Sequence, residues 1–216
     1  MSTENRLTNP LIDSLVDDLA PVRPLTLAQG IVLFLASTIG TVLLVEIIDG
    51  IWRGMLDGRA SALFFVANGM FALLGTAASI AVLKMASPHV GNRQDGARWA
   101  SVMIAVLPAS AFAILTLQGN LGEVTRDMYG PECFAAGLGF ATITGAALVL
   151  WLRRGAPVSL PAAGLYTGIA AGATGTFAYG LACPIDDLAH LGTWHVLPIL
   201  AAALVGRLVV PSLVRW

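Results

Sequence analysis

The sequence predicts an all-α polytopic membrane protein, a six-transmembrane-helix bundle with both termini cytoplasmic. Three observations carry that reading. Of 216 residues, 56% are apolar and only 12% charged, about half the charged fraction of a water-facing domain, and the mean hydropathy is +0.79. Apolar stretches of the roughly 20 residues that a hydrocarbon core asks of a helix recur six times along the chain. Within each stretch the apolar residues are continuous, without the every-second-residue alternation of a barrel strand. Net charge is −1, with 12 basic and 13 acidic residues, so there is no basic field for direct contact with nucleic acid.

The chain divides into a soluble segment, 1–26, and a membrane domain, 27–216. In the first, Asn9-Pro10 supplies a helix cap followed by proline at the first helical position. Leu11, Ile12, Leu15, Val16 and Leu19 then recur at helical spacing, and Asp13, Asp17 and Asp18 take the other face. Pro21 and Pro24 end the helix. A helix of about ten residues is too short to stand alone in water, so its leucines need a surface. Anionic lipid repels an acidic face, which makes a groove on a partner protein the better expectation. No basic start and early apolar run mark a signal peptide, so the segment is expected to stay on the mature protein.

The six expected spans are 27–48, 62–83, 100–117, 133–152, 162–182 and 194–210. Glycines inside them, such as Gly137, Gly139 and Gly145, or Gly164, Gly168, Gly172 and Gly175, are the small residues that let helix backbones approach in lipid. With six spans, one face carries Arg6, Arg23, Lys84, Arg93, Arg98, Arg153, Arg154, Arg207 and Arg215, and the other only Arg53, Arg59 and Arg126. The basic excess marks the cytoplasmic side and puts both termini there. The connecting segments are too short to bury a core, so no soluble catalytic domain is expected.

The remaining polar residues gather at the outer boundary. Cys133 opens the fourth span and Cys183 follows the fifth, so an antiparallel pair brings both thiols to the same face. One intramolecular disulfide is available to two cysteines, and it persists in an oxidising periplasm. His190 and His195 follow Cys183, with Glu132, Asp186 and Asp187 nearby. Thiolates with imidazole suit a soft ion such as cadmium, zinc or copper(I), although the spacing matches no standard zinc pattern. The thiols are thus open to three readings: disulfide pair, metal ligands, or small buried apolar side chains. Glu46 and Asp49 lie near the outer end of span one.

The acidic start Leu11-Ile12-Asp13-Ser14-Leu15 through Leu19-Ala20-Pro21-Val22-Arg23-Pro24-Leu25, the six spans, Cys183-Pro184 through Asp187, Trp194-His195 and the closing Arg215-Trp216 resemble the NrsF family. These are bacterial membrane-bound anti-sigma factors, negative regulators of an extracytoplasmic-function (ECF) sigma factor, and the resemblance covers essentially the whole chain. It implies a multi-pass protein of the inner membrane, not an enzyme and without a resident cofactor. Its amino-terminal segment would hold the sigma factor away from RNA polymerase. Cys133 and Cys183 would perceive a heavy-metal or oxidative signal, with a soft metal ion acting as signal, and the sigma factor would then be released. Two rival classes are a small metal transporter, which would want ligands in mid-bilayer, and a membrane thiol oxidoreductase, which would want a second cysteine pair or a C-x-x-C.

Overall fold

The computed structural model describes residues 10–17, 25–88 and 95–214, without the side chains of residues 11–13 and 123. Among the described residues the chain is all-α. Its helices are α1 (Pro10–Asp17), α2 (Leu27–Ile48), α3 (Ala62–Met85), α4 (Asp95–Ile104), α5 (Val106–Leu117), α6 (Gly122–Arg126), α7 (Gly130–Leu152), α8 (Leu160–Gly180), α9 (Leu188–Thr193) and α10 (Leu197–Val214).

Local chemistry sets these boundaries. Thr26 and Gln29 form a capping box at the start of α2, and Ser61 accepts from the Phe64 N–H at the start of α3. Pro131 and Pro161 occupy the first turns of α7 and α8, where a missing N–H costs nothing. The expected third span is two helices, α4 and α5, because Pro108 has no N–H for the Ile104 carbonyl and its ring crowds that oxygen. The expected sixth span, 194–210, starts later: residues 194–196 are a turn between α9, which lies before that span, and α10. Pro198 cannot donate to the Trp194 carbonyl, so α9 ends and α10 starts afresh after a turn through Trp194, His195 and Val196. Both prolines were legible in the sequence, but apolarity continues across each break and conceals it.

Among the described residues, five segments are long and apolar enough to cross a bilayer: Leu27–Ile48, Ala62–Met85, Asp95–Leu117, Gly130–Leu152 and Leu188–Val214. They mark a membrane protein. The expected span at 162–182 coincides with α8, whose 21 residues include Thr167, Thr174, Thr176, Tyr166 and Tyr179 among its glycines and alanines. Its lower hydropathy follows from its position. α8 is the central helix, packed on α10, α7 and α3, and its residues from Thr167 to Gly180 are almost all buried. In contrast, α2 exposes Val32, Leu35, Ile39, Leu43 and Ile47, as a lipid-facing helix does.

Contact around α8 is backbone to backbone. A Cβ at Gly168 would collide with the Ala202 carbonyl, one at Gly164 with the Gly206 carbonyl, and one at Gly175 with the Gly137 carbonyl and the Ala141 N–H. The expectation that glycines serve helix packing holds for Gly137, Gly164, Gly168, Gly172 and Gly175, and fails at Gly139, where a Cβ would meet open space. At one end of the bundle the Ala156 N–H donates to the Ala86 carbonyl, and Gly155 lies against Ala86. At the other end the Trp52 N–H donates to the Leu181 carbonyl, and Glu46 accepts from the Ile51 N–H at 2.6 Å. Glu46 therefore closes the turn after α2.

Gly168→Val is expected to destabilise the bundle by at least about 1–3 kcal/mol through overpacking against Ala202. Gly139→Ala, on α7 with open space at its Cβ, is expected to leave thermal unfolding in detergent unchanged or slightly raised.

Candidate functional site

Two helix ends and one short helix build the site. Cys133 lies in the first turn of α7, and Cys183 continues the last turn of α8, its N–H bonded to the Tyr179 carbonyl. Pro184 prevents that helix from going further. Because α7 and α8 run antiparallel in backbone contact, the two thiols meet: the sulfurs are 3.8 Å apart, both buried and both free. Cys183 Sγ also lies 3.9 Å from the Ile185 carbonyl oxygen. The neighbouring Cys133 thiol holds the Cys183 thiol below the ordinary value, against the opposing effect of burial.

The chain then returns through α9. Asp187 caps it, accepting from the His190 N–H at 2.9 Å. This cap orients His190 so that Nε2 sits 3.5 Å from Cys183 Sγ. Its other ring nitrogen, Nδ1, is 2.6 Å from Asp127 Oδ2. The break between α9 and α10 carries His195 into the interior, stacked against Phe71 at 6.2 Å and Tyr179 at 6.4 Å and edge-on to His190 at 5.2 Å. His190 and His195 are each 1% exposed, and among the described residues His195 Nε2 has no hydrogen-bond partner. One potential ligand atom from each of Cys133, Cys183, His190 and His195 falls in a set whose members all lie within 4.8 Å of one another. Two soft sulfurs and two imidazoles at such separations can hold a tetrahedral ion, and the sulfurs are close enough to be oxidised to a disulfide.

A family model described as the negative regulator of sigma F, NrsF, matches residues 15–216. The chain belongs to the NrsF family. A probable anti-sigma-F factor NrsF from Azospira oryzae (strain ATCC BAA-33 / DSM 13638 / PS) is 29% identical over 157 residues, covering 71% of this chain and 73% of the relative. No solved structure matches the chain. The matched span of the NrsF model includes all four residues of the cluster and begins at Leu15, within α1.

The acidic neighbours expected from sequence divide by role. Asp186 accepts from the Ser61 N–H at 2.8 Å and ties the Cys183 loop to the start of α3. Asp187 is a helix cap, and Glu132 points to solvent. The residue missed by sequence reasoning is Asp127. Besides holding His190, its Oδ1 accepts from the backbone N–H groups of Tyr129 and Gly130, each at 3.1 Å. Its position just before Gly130-Pro131 announced the turn, but nothing announced a histidine 63 residues away.

The amino-terminal residues stand apart from this cluster. Pro10–Asp17 is helical, with Leu15 59% and Val16 57% exposed and Asp17 also exposed. Leu11, Ile12 and Asp13 are on the same helix, their side chains outside the description, and Asp18 and Leu19 lie outside the described residues.

Gly130 lies beneath the Trp194 indole, where a Cβ would collide with the ring. Gly130→Ala is therefore expected to unseat Trp194 and loosen the cover over the thiols. Labelling of Cys133 and Cys183 by a maleimide in detergent, slow for the buried wild-type thiols, is expected to accelerate about tenfold, equivalent to roughly 1.4 kcal/mol of easier local opening.

Proposed function

We propose that this NrsF-family chain is an inner-membrane anti-sigma factor. It crosses the membrane six times with both termini cytoplasmic, sequesters an ECF-type sigma factor through residues 1–26, and releases it when the Cys133–Cys183 pair perceives a heavy-metal or redox signal. The crossing that joins the five long apolar segments is α8, fifth in chain order, where backbone contact with α7 and α10 replaces apolar side chains as the source of stability in lipid. Orientation is supported by the basic residues. Lys84, Arg153 and Arg154 flank the contact between Ala86 and Gly155, at the end of the bundle away from the thiols, while Arg53 and Arg59 belong to the segment bonded to Leu181.

The sigma-binding half rests on α1. Leu15 and Val16 are apolar yet more than half exposed, which disfavours packing of this face on the protein's own loops. Leu11, Ile12, Leu15 and Leu19 would enter an apolar groove on the sigma factor, with Val16 beside them, and Asp13, Asp17 and Asp18 would meet its basic rim. The observation that carries the sensing half is the 3.8 Å thiol pair beside His190 and His195. A transporter is less well supported, since these ligands sit together at the ends of α7 and α8, beside the connecting segments, and not midway along a span.

Leu15→Asp is expected to lower sigma-factor capture by the detergent-solubilised protein at least 30-fold, about 2 kcal/mol, as for an apolar hot spot. Equal recovery by wild type and variant overturns the docking half. Cys133→Ser with Cys183→Ser is expected to abolish signal-induced transcription from a sigma-dependent reporter while leaving basal repression intact. Unchanged induction overturns the sensing half.

A further inference from the structure

We infer that Cys133, Cys183, His190 and His195 form a four-ligand tetrahedral site for a soft divalent cation, with Asp127 as the residue that positions His190 toward the ion. This rests on the sensing half of the proposed function and replaces its two-way choice of signal chemistry with coordination.

Distances favour an ion. A tetrahedral centre holding thiolates at about 2.3 Å and imidazole nitrogens at about 2.05 Å separates two sulfurs by about 3.8 Å, and a sulfur from a nitrogen by about 3.6 Å. The observed edges are 3.8 Å for Cys133–Cys183 and 3.5 Å for Cys183–His190. The remaining ligand separations lie within 4.8 Å, so closure requires movement of about 1 Å by side chains on already adjacent elements. His195 gives an independent pointer. Among the described residues its Nε2 is buried without a hydrogen-bond partner, an arrangement that a protein interior disfavours and that coordination within this cluster would offset.

Asp127 completes the chemistry. A metal-bound histidine commonly gives its second ring N–H to a carboxylate, which fixes the tautomer and ring direction and strengthens the donor. Asp127 Oδ2 lies 2.6 Å from His190 Nδ1, where a carboxylate can take the Nδ1–H and leave Nε2, 3.5 Å from Cys183 Sγ, to coordinate. The carboxylate is itself held by the Tyr129 and Gly130 N–H groups at the start of the Cys133 helix, so one side chain registers two ligand-bearing elements. A crevice of about 270 Å³ lined by Val124, Asp127, Asp187, Ala189, His190 and Trp194 reaches His190, and its two carboxylates attract a cation. Binding converts two thiols to thiolates and releases two protons to water; no electron is transferred.

The test uses the full-length reduced protein in detergent with Co²⁺ and Cd²⁺ as probes. Expected are one ion per chain, the ligand-field spectrum of tetrahedral Co²⁺ with thiolate charge transfer, and its loss in Cys133→Ser. His195→Ala is expected to change the Co²⁺ ligand-field pattern. Asp127→Asn is expected to weaken Cd²⁺ binding 10–100-fold, with thiolate charge transfer retained at saturation and affinity partly rescued by Asp127→Glu. A role for Asp127 confined to folding would lower the melting temperature without moving the affinity of the folded fraction, and that result overturns its assignment. Absence of tetrahedral Co²⁺ in wild type overturns the site without depending on any variant. If the cysteine variants still abolish induction in that case, the sensing half stands and thiol oxidation is its chemistry. If the ion binds but induction ignores the cysteines, the site stands and the sensing half falls.

Discussion

Backbone contact between α8 and its neighbours α7 and α10 is the constraint on which the rest of this molecule depends. Lipid tails are as apolar as leucine, so burying one helix against another in a bilayer gains little from the hydrophobic effect. What remains is close packing, and the α8 glycines permit it where Gly168 meets the Ala202 carbonyl and Gly175 meets Gly137 and Ala141. A helix so enclosed has no lipid to dissolve in. It therefore carries threonine and tyrosine at a density a lipid-facing helix would not tolerate, and its apolarity falls below that of α2, α3 or α7.

The same contact creates the thiol cluster. With α7 and α8 locked along their lengths by Gly137, Ala141 and Gly175, their adjoining ends are fixed relative to each other without any bond between them. Cys133 starts one helix and Cys183 finishes the other, so their separation is a property of the bundle rather than of the connecting chain. Proline then places the histidines. Pro184 turns the chain out of α8, and Pro198 forces the break that turns His195 inward. Asp127 and Asp186 stitch this end together by holding α9 to the start of α7 and the Cys183 loop to the start of α3.

Much of this was legible in the sequence, and the gaps have physical reasons. Apolar periodicity located the helices, and antiparallel order alone was enough to put Cys133 and Cys183 on one face. The glycine spacing in α8 announced close packing, though not that it would make α8 the central helix. The helix break at Ala105 was hidden, and the turn at Trp194–Val196 was taken into the start of the sixth span, because hydropathy averages over a window while proline acts on one carbonyl. Asp127 was hidden for a different reason: it reaches His190 through tertiary structure, and a single aspartate in a loop has many ordinary explanations. Sequence order placed Asp186 and Asp187 near the cysteines and histidines, and in the structure each accepts from a backbone N–H.

The proposed switch must send a change at the thiol end to the start of α2 at the other end, and α7 spans that distance. It begins three residues before Cys133 and ends beside Trp151, whose indole N–H donates to the Leu83 carbonyl of α3. Gly30, in the first turn of α2, lies against both Leu83 and Trp151, so a Cβ there would collide with them. α2 begins immediately after residues 1–26. The thiol site and the root of that segment are therefore joined by one helix and one packed triad, with few flexible parts between them. Moving a docking equilibrium from about 1:99 to 99:1 needs roughly 5.5 kcal/mol of differential binding. Structural zinc sites bind with about 10–16 kcal/mol in apparent terms, and the part of that energy made in one arrangement of the bundle and not in the other is what drives such a shift. A closely packed interior does not deform continuously. Inward movement of about 1 Å by ligands on α7 and on the loop after α8 would therefore be expressed as displacement of whole helices, and Gly30 is where α2 would register it.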